Sequence, residues 1–179
     1  YADEWAVKQM FHYRWRYKED QDAASKRFAK LFVPEVIQNI IWLNTFALNK
    51  ASKAFKSRMT KRLWVIGSNK VTESTIEESF KNLIRLLDKH LEARPYIFGK
   101  TPSIADFALS GQIYNANNEI TARELIQKNT PKLNDWIERM LSPRHMGDFE
   151  DWRELKPTLL PLIKEEIAQV FLPWVTANN

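Results

Sequence analysis

Near the start of the chain, Trp5, Gln9, His12 and Arg16 fall on one stripe if residues 3–18 are helical, with Trp15 beside them. Their types could handle a ligand. The His12 imidazole titrates near neutrality and can pass a proton or hydrogen-bond an anion. The Arg16 guanidinium can fork onto a carboxylate, and Trp5 and Trp15 offer apolar surface. A histidine packed at an interface has the same spacing, and aromatic stripes are core more often than pocket, so both readings stand. Ser103 and Asp106 are the other pair with catalytic side-chain types. Their i, i+3 spacing before an apolar run assigns them to the backbone instead. Ser103 caps the helix, Asp106 reaches back to the Ser103 N–H, and the Asp charge suits the positive helix end. His90 and His145 have no partner at metal-ligand spacing, so no metal site is expected. No phosphate loop, paired carboxylates or nucleophile elbow is present.

These side chains need helices to position them, and the pattern supplies helices throughout. The fold class expected is all-α, a helical bundle, with no segment alternating like a strand. After the cap, Ile104, Ala105, Phe107, Ala108, Leu109, Gly111, Ile113 and Tyr114 leave almost no polar face. Such a helix is expected to be a central post surrounded by others. The run at 96–107, YIFGKTPSIADF, resembles the capping box of the glutathione S-transferase family, where it opens the buried helix of the all-helical C-terminal domain. Pro131-Lys-Leu-Asn-Asp-Trp-Ile137 resembles the next helix of that domain, and residues 3–141 can be laid on it.

The resemblance implies a function. In that family a thioredoxin-like N-terminal domain holds glutathione and usually carries the catalytic Ser, Cys or Tyr, and nothing in this chain resembles it. The expectation is therefore one domain over 1–179, the C-terminal part of a longer parent, with no catalytic residue of its own. Its partners would be that N-terminal domain, a small hydrophobic electrophile and a second copy in a homodimer, with glutathione as co-substrate and a cytoplasmic location. The helix bearing Trp5, Gln9, His12, Trp15 and Arg16 would border the interdomain cleft and bind substrate. The competing expectation is a non-enzymatic interaction or scaffold module, since fold alone does not assign activity.

Composition fits a globular chain: 44% hydrophobic and 27% charged residues, no cysteine, and no apolar run long enough to span a membrane. The net charge of +5 is uneven, with 14 basic and 6 acidic residues through Lys70 and 13 and 16 after it. The ordinary reading is a solvated basic helix face, ahead of nucleic acid or membrane, neither of which is expected as a partner; an anion-favouring cleft is the other alternative.

Along the chain, the pattern predicts a second stripe on the first helix (Ala6, Met10, Tyr13, Tyr17) facing the bundle. Residues 21–31 read as a connection with some helical character. A long helix follows from Pro34 to about Arg62, striped by Ile37, Ile40, Ile41, Asn44, Leu48, Ala51, Phe55 and Met59. Ser74 and Glu77 read as another capping box, opening a helix that buries Ile76, Phe80, Leu83, Ile84, Leu87 and Leu91. A weaker helical segment covers 119–128, and Thr130-Pro131 caps a helix burying Leu133, Trp136 and Ile137 with Met140 and Leu141. Residues 142–156 read as a loop, and the last helix as 158–172, with Pro161 in its first turn and Pro173 as its stop.

Overall fold

Helix follows helix. A computed structural model describes residues 1–34 and 41–177, with backbone alone for 41 and 42. A π-helical turn, Ala2–Ala6, leads into α1 (Val7–Arg16), α2 (Lys18–Phe32) and α3 (Ile41–Thr60). A 3-10 turn, Leu63–Ile66, precedes α4 (Glu73–Leu91), α5 (Ile104–Asn117), α6 (Ile120–Asn129) and α7 (Pro131–Met140). The chain ends with α8 (Trp152–Leu162), a π-helical stretch Ile163–Phe171 and α9 (Leu172–Ala177). Among the described residues there is no strand, and only isolated bridges join Gly99 to Tyr96 and to Phe149. The all-α expectation holds.

The core lies where α1, α4, α5, α7 and α8 meet. Tyr13 of α1 packs on Phe80 of α4 at 4.8 Å between ring centroids, and Ala6, Met10, Leu83, Leu87, Ile113, Leu133 and Trp136 belong to the same buried cluster. The second stripe of α1 therefore faces the bundle as expected, as do the six apolar residues of α4.

Asp106 does more than its capping box requires. Its carboxylate accepts from the Ser103 backbone N–H at 2.9 Å, and the reciprocal bond from the Asp106 N–H to Ser103 Oγ is present. It also accepts from the Ile97 backbone N–H at 2.8 Å and from Trp136 Nε1 at 3.0 Å. One buried side chain thus fixes the 94–103 loop, the start of α5 and the face of α7. That loop is stapled to residues 144–150: Lys100 N–H donates to the Asp148 carbonyl, Glu150 N–H to Phe98 and Met146 N–H to Lys100.

Several expectations need correction. α5 is not enclosed: Ile104, Phe107 and Tyr114 are exposed, and only Asp106, Leu109, Ile113 and Ala116 are buried. Within this chain, neighbours cover one side of the post. Residues 18–32 form a full helix rather than a connection. Apart from Asp20, its buried residues are small (Ala24, Ser25, Ala29), so its hydrophobic period is faint, yet Phe28 stacks on Phe55 of α3 and Ser25 meets Ser52. The extended Tyr17 separates it from α1.

Ser74 and Glu77 form no capping box. α4 starts two residues earlier, at Glu73, and Asn69 turns the chain into it by accepting from the Val71 and Thr72 N–H groups. Thr130 makes no side-chain cap on α7; its hydroxyl donates back to the Ile126 carbonyl, while Asp88 accepts from the Leu133 N–H. Residues 120–129 are a regular helix, and Leu141 is exposed.

The last helix begins at Trp152, not 158, with Pro157 and Pro161 inside it, and Pro173 does not stop it. Each proline removes a donor from the ladder, and the wider π register follows directly after Pro161. In the α3 stripe, Asn44, Leu48, Ala51, Phe55 and Met59 are half-buried. Ile37, Ile40 and the Ile41 side chain lie outside the described residues.

Candidate functional site

The mixed stripe of α1 lies against α4 of its own bundle. Trp5 Nε1 donates to Ser79 Oγ at 2.8 Å, and the Gln9 amide lies 2.9 Å from the same oxygen. One turn on, His12 places Nε2 3.2 Å from Glu77 Oε1 and Nδ1 2.8 Å from Ser68 Oγ. A further turn on, Arg16 pairs with Glu73. The antiparallel order, 5 and 9 on 79, 12 on 77 and 16 on 73, makes a ladder of polar contacts between two helices. Burial holds the His12 pKa below its usual value, with the Glu77 carboxylate partly opposing it. Trp15 faces elsewhere, against Phe28 and Phe55, and its indole N–H has no partner among the described residues.

The ladder ends in a buried carboxyl. Glu166, on the π-helical stretch, accepts from Ser79 Oγ, from Asn82 Nδ2 at 2.8 Å and from the Tyr1 hydroxyl at 3.3 Å. It is 1% exposed. Desolvation raises its pKa, opposed by those three donors. The carboxyl thereby latches the C-terminal segment onto α4 and the first turn.

Beside this latch is an apolar cavity of about 300 Å³. Leu87 of α4 and Ala105, Ala108 and Leu109 of α5 form one wall. Leu159, Leu162, Ile163 and Ile167 form the opposite wall, and Tyr1, Ala2, Ile97 and Phe98 complete it. The paired small residues Ala105 and Ala108 leave the space. Ile104 and Phe107, their neighbours on α5, stand exposed alongside, so the cavity lies next to the uncovered apolar face.

Those helices, that capping box and that proline-led α7 can be compared with known families. A family model described as glutathione S-transferase, C-terminal domain, matches residues 46–139, more than half of the chain. The chain belongs to this family. Within this glutathione transferase-type domain the match runs from α3 to α7, the part that includes the Asp106 hub, and no thioredoxin-like domain is detected. Searches of curated proteins and of solved structures returned no significant match. Among the described residues no cluster of His, Asp or Glu could hold a metal ion, and no helix is long and apolar enough to cross a membrane.

None of Trp5, Gln9, His12, Trp15 and Arg16 lines the apolar cavity. Trp5 borders a separate hollow of about 210 Å³ with Ile66, Thr72 and Trp174. The cavity residues were missed by sequence reasoning because an apolar wall and an apolar core have the same pattern. Ala105 and Ala108, small among large neighbours, are the signal that could have found them. Glu166 looks like its half-exposed neighbour Glu165, which pairs with Arg85, and nothing in the sequence separates the two.

Proposed function

We propose that this chain is the helical half of a glutathione transferase-type protein and holds the apolar co-substrate while a thioredoxin-like domain holds glutathione. The observation that carries this is the apolar cavity beside the open face of α5. Its lining offers no cation or amide donor for the two carboxylates and peptide groups of glutathione, but it suits a small hydrophobic electrophile. The exposed Ile104, Phe107 and Tyr114 give a second domain an apolar surface on which to seat. Conjugation or glutathione-dependent reduction in the parent, a homodimer and a cytoplasmic setting belong to the same proposal and rest on family membership. In it, Trp5, Gln9, His12 and Arg16 act on substrate indirectly, by fixing α1 to α4.

Ala108→Trp in the two-domain parent tests the reading. Filling the cavity should raise the KM for an aromatic electrophile about tenfold or more, since a bulky blocked contact costs at least about 1.4 kcal/mol. The KM for glutathione should stay within about twofold. Equal changes in both constants would place the electrophile elsewhere. A parent that binds other proteins through α5 but turns over no electrophile would support a scaffold role instead.

A further inference from the structure

From Val36 to Thr72 the chain carries seven Lys or Arg residues and no Asp or Glu. The structure shows what this run presents. Lys50, Lys53 and Arg58 are exposed along α3, and Lys61, Arg62 and Lys70 are exposed in the corner between α3 and α4. The neighbouring carboxylates are already used: Asp22 pairs with Lys56, and Glu73 with Arg16. The same corner holds large apolar side chains in water, with Trp64 75%, Val65 59% and Val71 85% exposed. They are not loose. Gly67 takes a left-handed turn at φ 74°, Asn69 Oδ1 accepts from the Val71 N–H at 2.8 Å, and the Thr72 hydroxyl donates to the Gly67 carbonyl. A built turn therefore holds two aliphatic residues and a tryptophan outward among cations that have no carboxylate partner among the described residues.

We propose that the α3–α4 corner docks this protein onto an anionic lipid surface. Trp64, Val65 and Val71 enter the headgroup boundary, and Lys61, Arg62 and Lys70 sit against lipid phosphates and carboxylates. Tryptophan favours that depth because its ring is apolar and its N–H stays wet. Apolar insertion and basic attraction together give peripheral binding without a spanning helix. Charge argues against a second copy as the occupant, since a two-fold contact would bring the same cations against themselves. The aliphatic pair argues against nucleic acid, because valines cannot stack on bases. The corner also stays accessible in the proposed two-domain protein. His12 of α1 contacts its Ser68, whereas Arg14, about 200° further round α1, contacts Asn115 at the end of α5.

Co-sedimentation with vesicles of phosphatidylcholine alone and with 30% phosphatidylserine tests this, using the whole chain in low and 0.5 M salt. Binding to the anionic vesicles alone, weakened by salt, is the expected result. Each cation near such a surface contributes roughly fivefold, so Lys61→Glu/Arg62→Glu/Lys70→Glu should weaken binding at least about a hundredfold. Trp64→Ser/Val65→Ser should also lose most of it, and a fluorescence blue shift on vesicle addition should vanish with Trp64→Phe. These side chains are exposed, so thermal melts should match the wild type and confirm folded variants. No sedimentation with anionic vesicles, binding unchanged in the charge variant, or self-association that requires Trp64 in place of vesicle binding would each overturn the proposal.

Discussion

Asp106 is the residue on which most separate elements depend. Alanine there removes the cap and strands two buried donors, the Ile97 N–H and the Trp136 indole. An unsatisfied buried donor costs about 1–3 kcal/mol and a lost cap about 0.5–2 kcal/mol. We expect Asp106→Ala to lose roughly 3–5 kcal/mol, which at about 2–4 °C per kcal/mol for a domain of this size is a fall near 10 °C in a thermal melt. Ser103→Ala should lose only about 1 kcal/mol, because it leaves the Ile97 and Trp136 bonds in place. Melts of the two single variants and the double separate these roles, and equal losses in the singles would contradict the hub. Gly99 makes a comparable case. Its φ is +126°, and an added Cβ would lie 2.8 Å from the Glu150 backbone nitrogen and 2.9 Å from the Asp148 carbonyl oxygen. Gly99→Ala should therefore destabilise by about 2–4 kcal/mol by forcing the two stapled loops apart. A melting point within 2 °C of wild type would show that the loops yield freely. The capping pair was legible in the sequence because capping is local. The bonds from Asp106 to Ile97 and Trp136 were not, since they depend on how three elements pack.

Helices with large buried residues were legible for the same reason. The Ile76 to Leu91 stripe of α4 and the Leu133, Trp136, Ile137 face of α7 repeat at helical spacing. α2 and α8 were not, the first because its buried residues, Asp20 aside, are small, and the second because Pro161 suggests a first turn and Pro173 an end where the chain runs on through both and widens its register between them. Among the elements, the latch of Glu166 and the two buried histidines make opposite pH predictions. The raised Glu166 pKa means that its contribution is fully present below the unfolded carboxyl value and is lost as pH rises through the folded one. His12 and His90 have lowered pKa values, chiefly through burial, so their contribution is present above about 6.5 and is lost as pH falls through the folded values. The slope from Glu166 is negative from 4.5 up to its folded value, and that from the histidines is positive from 6.5 down to theirs. Glu166→Gln deletes the first, so just above pH 4.5 its stability should fall less, or climb more, with pH than that of the wild type. Parallel urea titrations at half-unit intervals decide the matter; superimposable profiles would mean that Glu166 does not titrate there.

At the scale of the whole molecule, the incomplete cover on α5 is the main departure from a closed bundle. Sequence alone reads an all-round apolar helix as buried, and it cannot say whether the cover comes from the same domain. Phe107→Ser combined with Ile104→Ser should change the stability of this chain by no more than about 0.5 kcal/mol, since both side chains are exposed. The same pair should weaken association with a thioredoxin-like domain at least tenfold in a titration calorimeter, and an unchanged affinity would mean that α5 is not the seat.

The π-helical stretch has a consequence for rates. Ile163 and Ile167 form part of the cavity wall, yet Glu166 is the one residue of Ile163–Phe171 that is fully buried. A segment held by so few enclosed groups opens locally at far lower cost than the core. Its amides should exchange with deuterium well before those of α4 and α7. Because the same opening uncovers the cavity, a ligand trapped inside should leave on the clock of that exchange, with Glu166→Ala quickening both by a common factor.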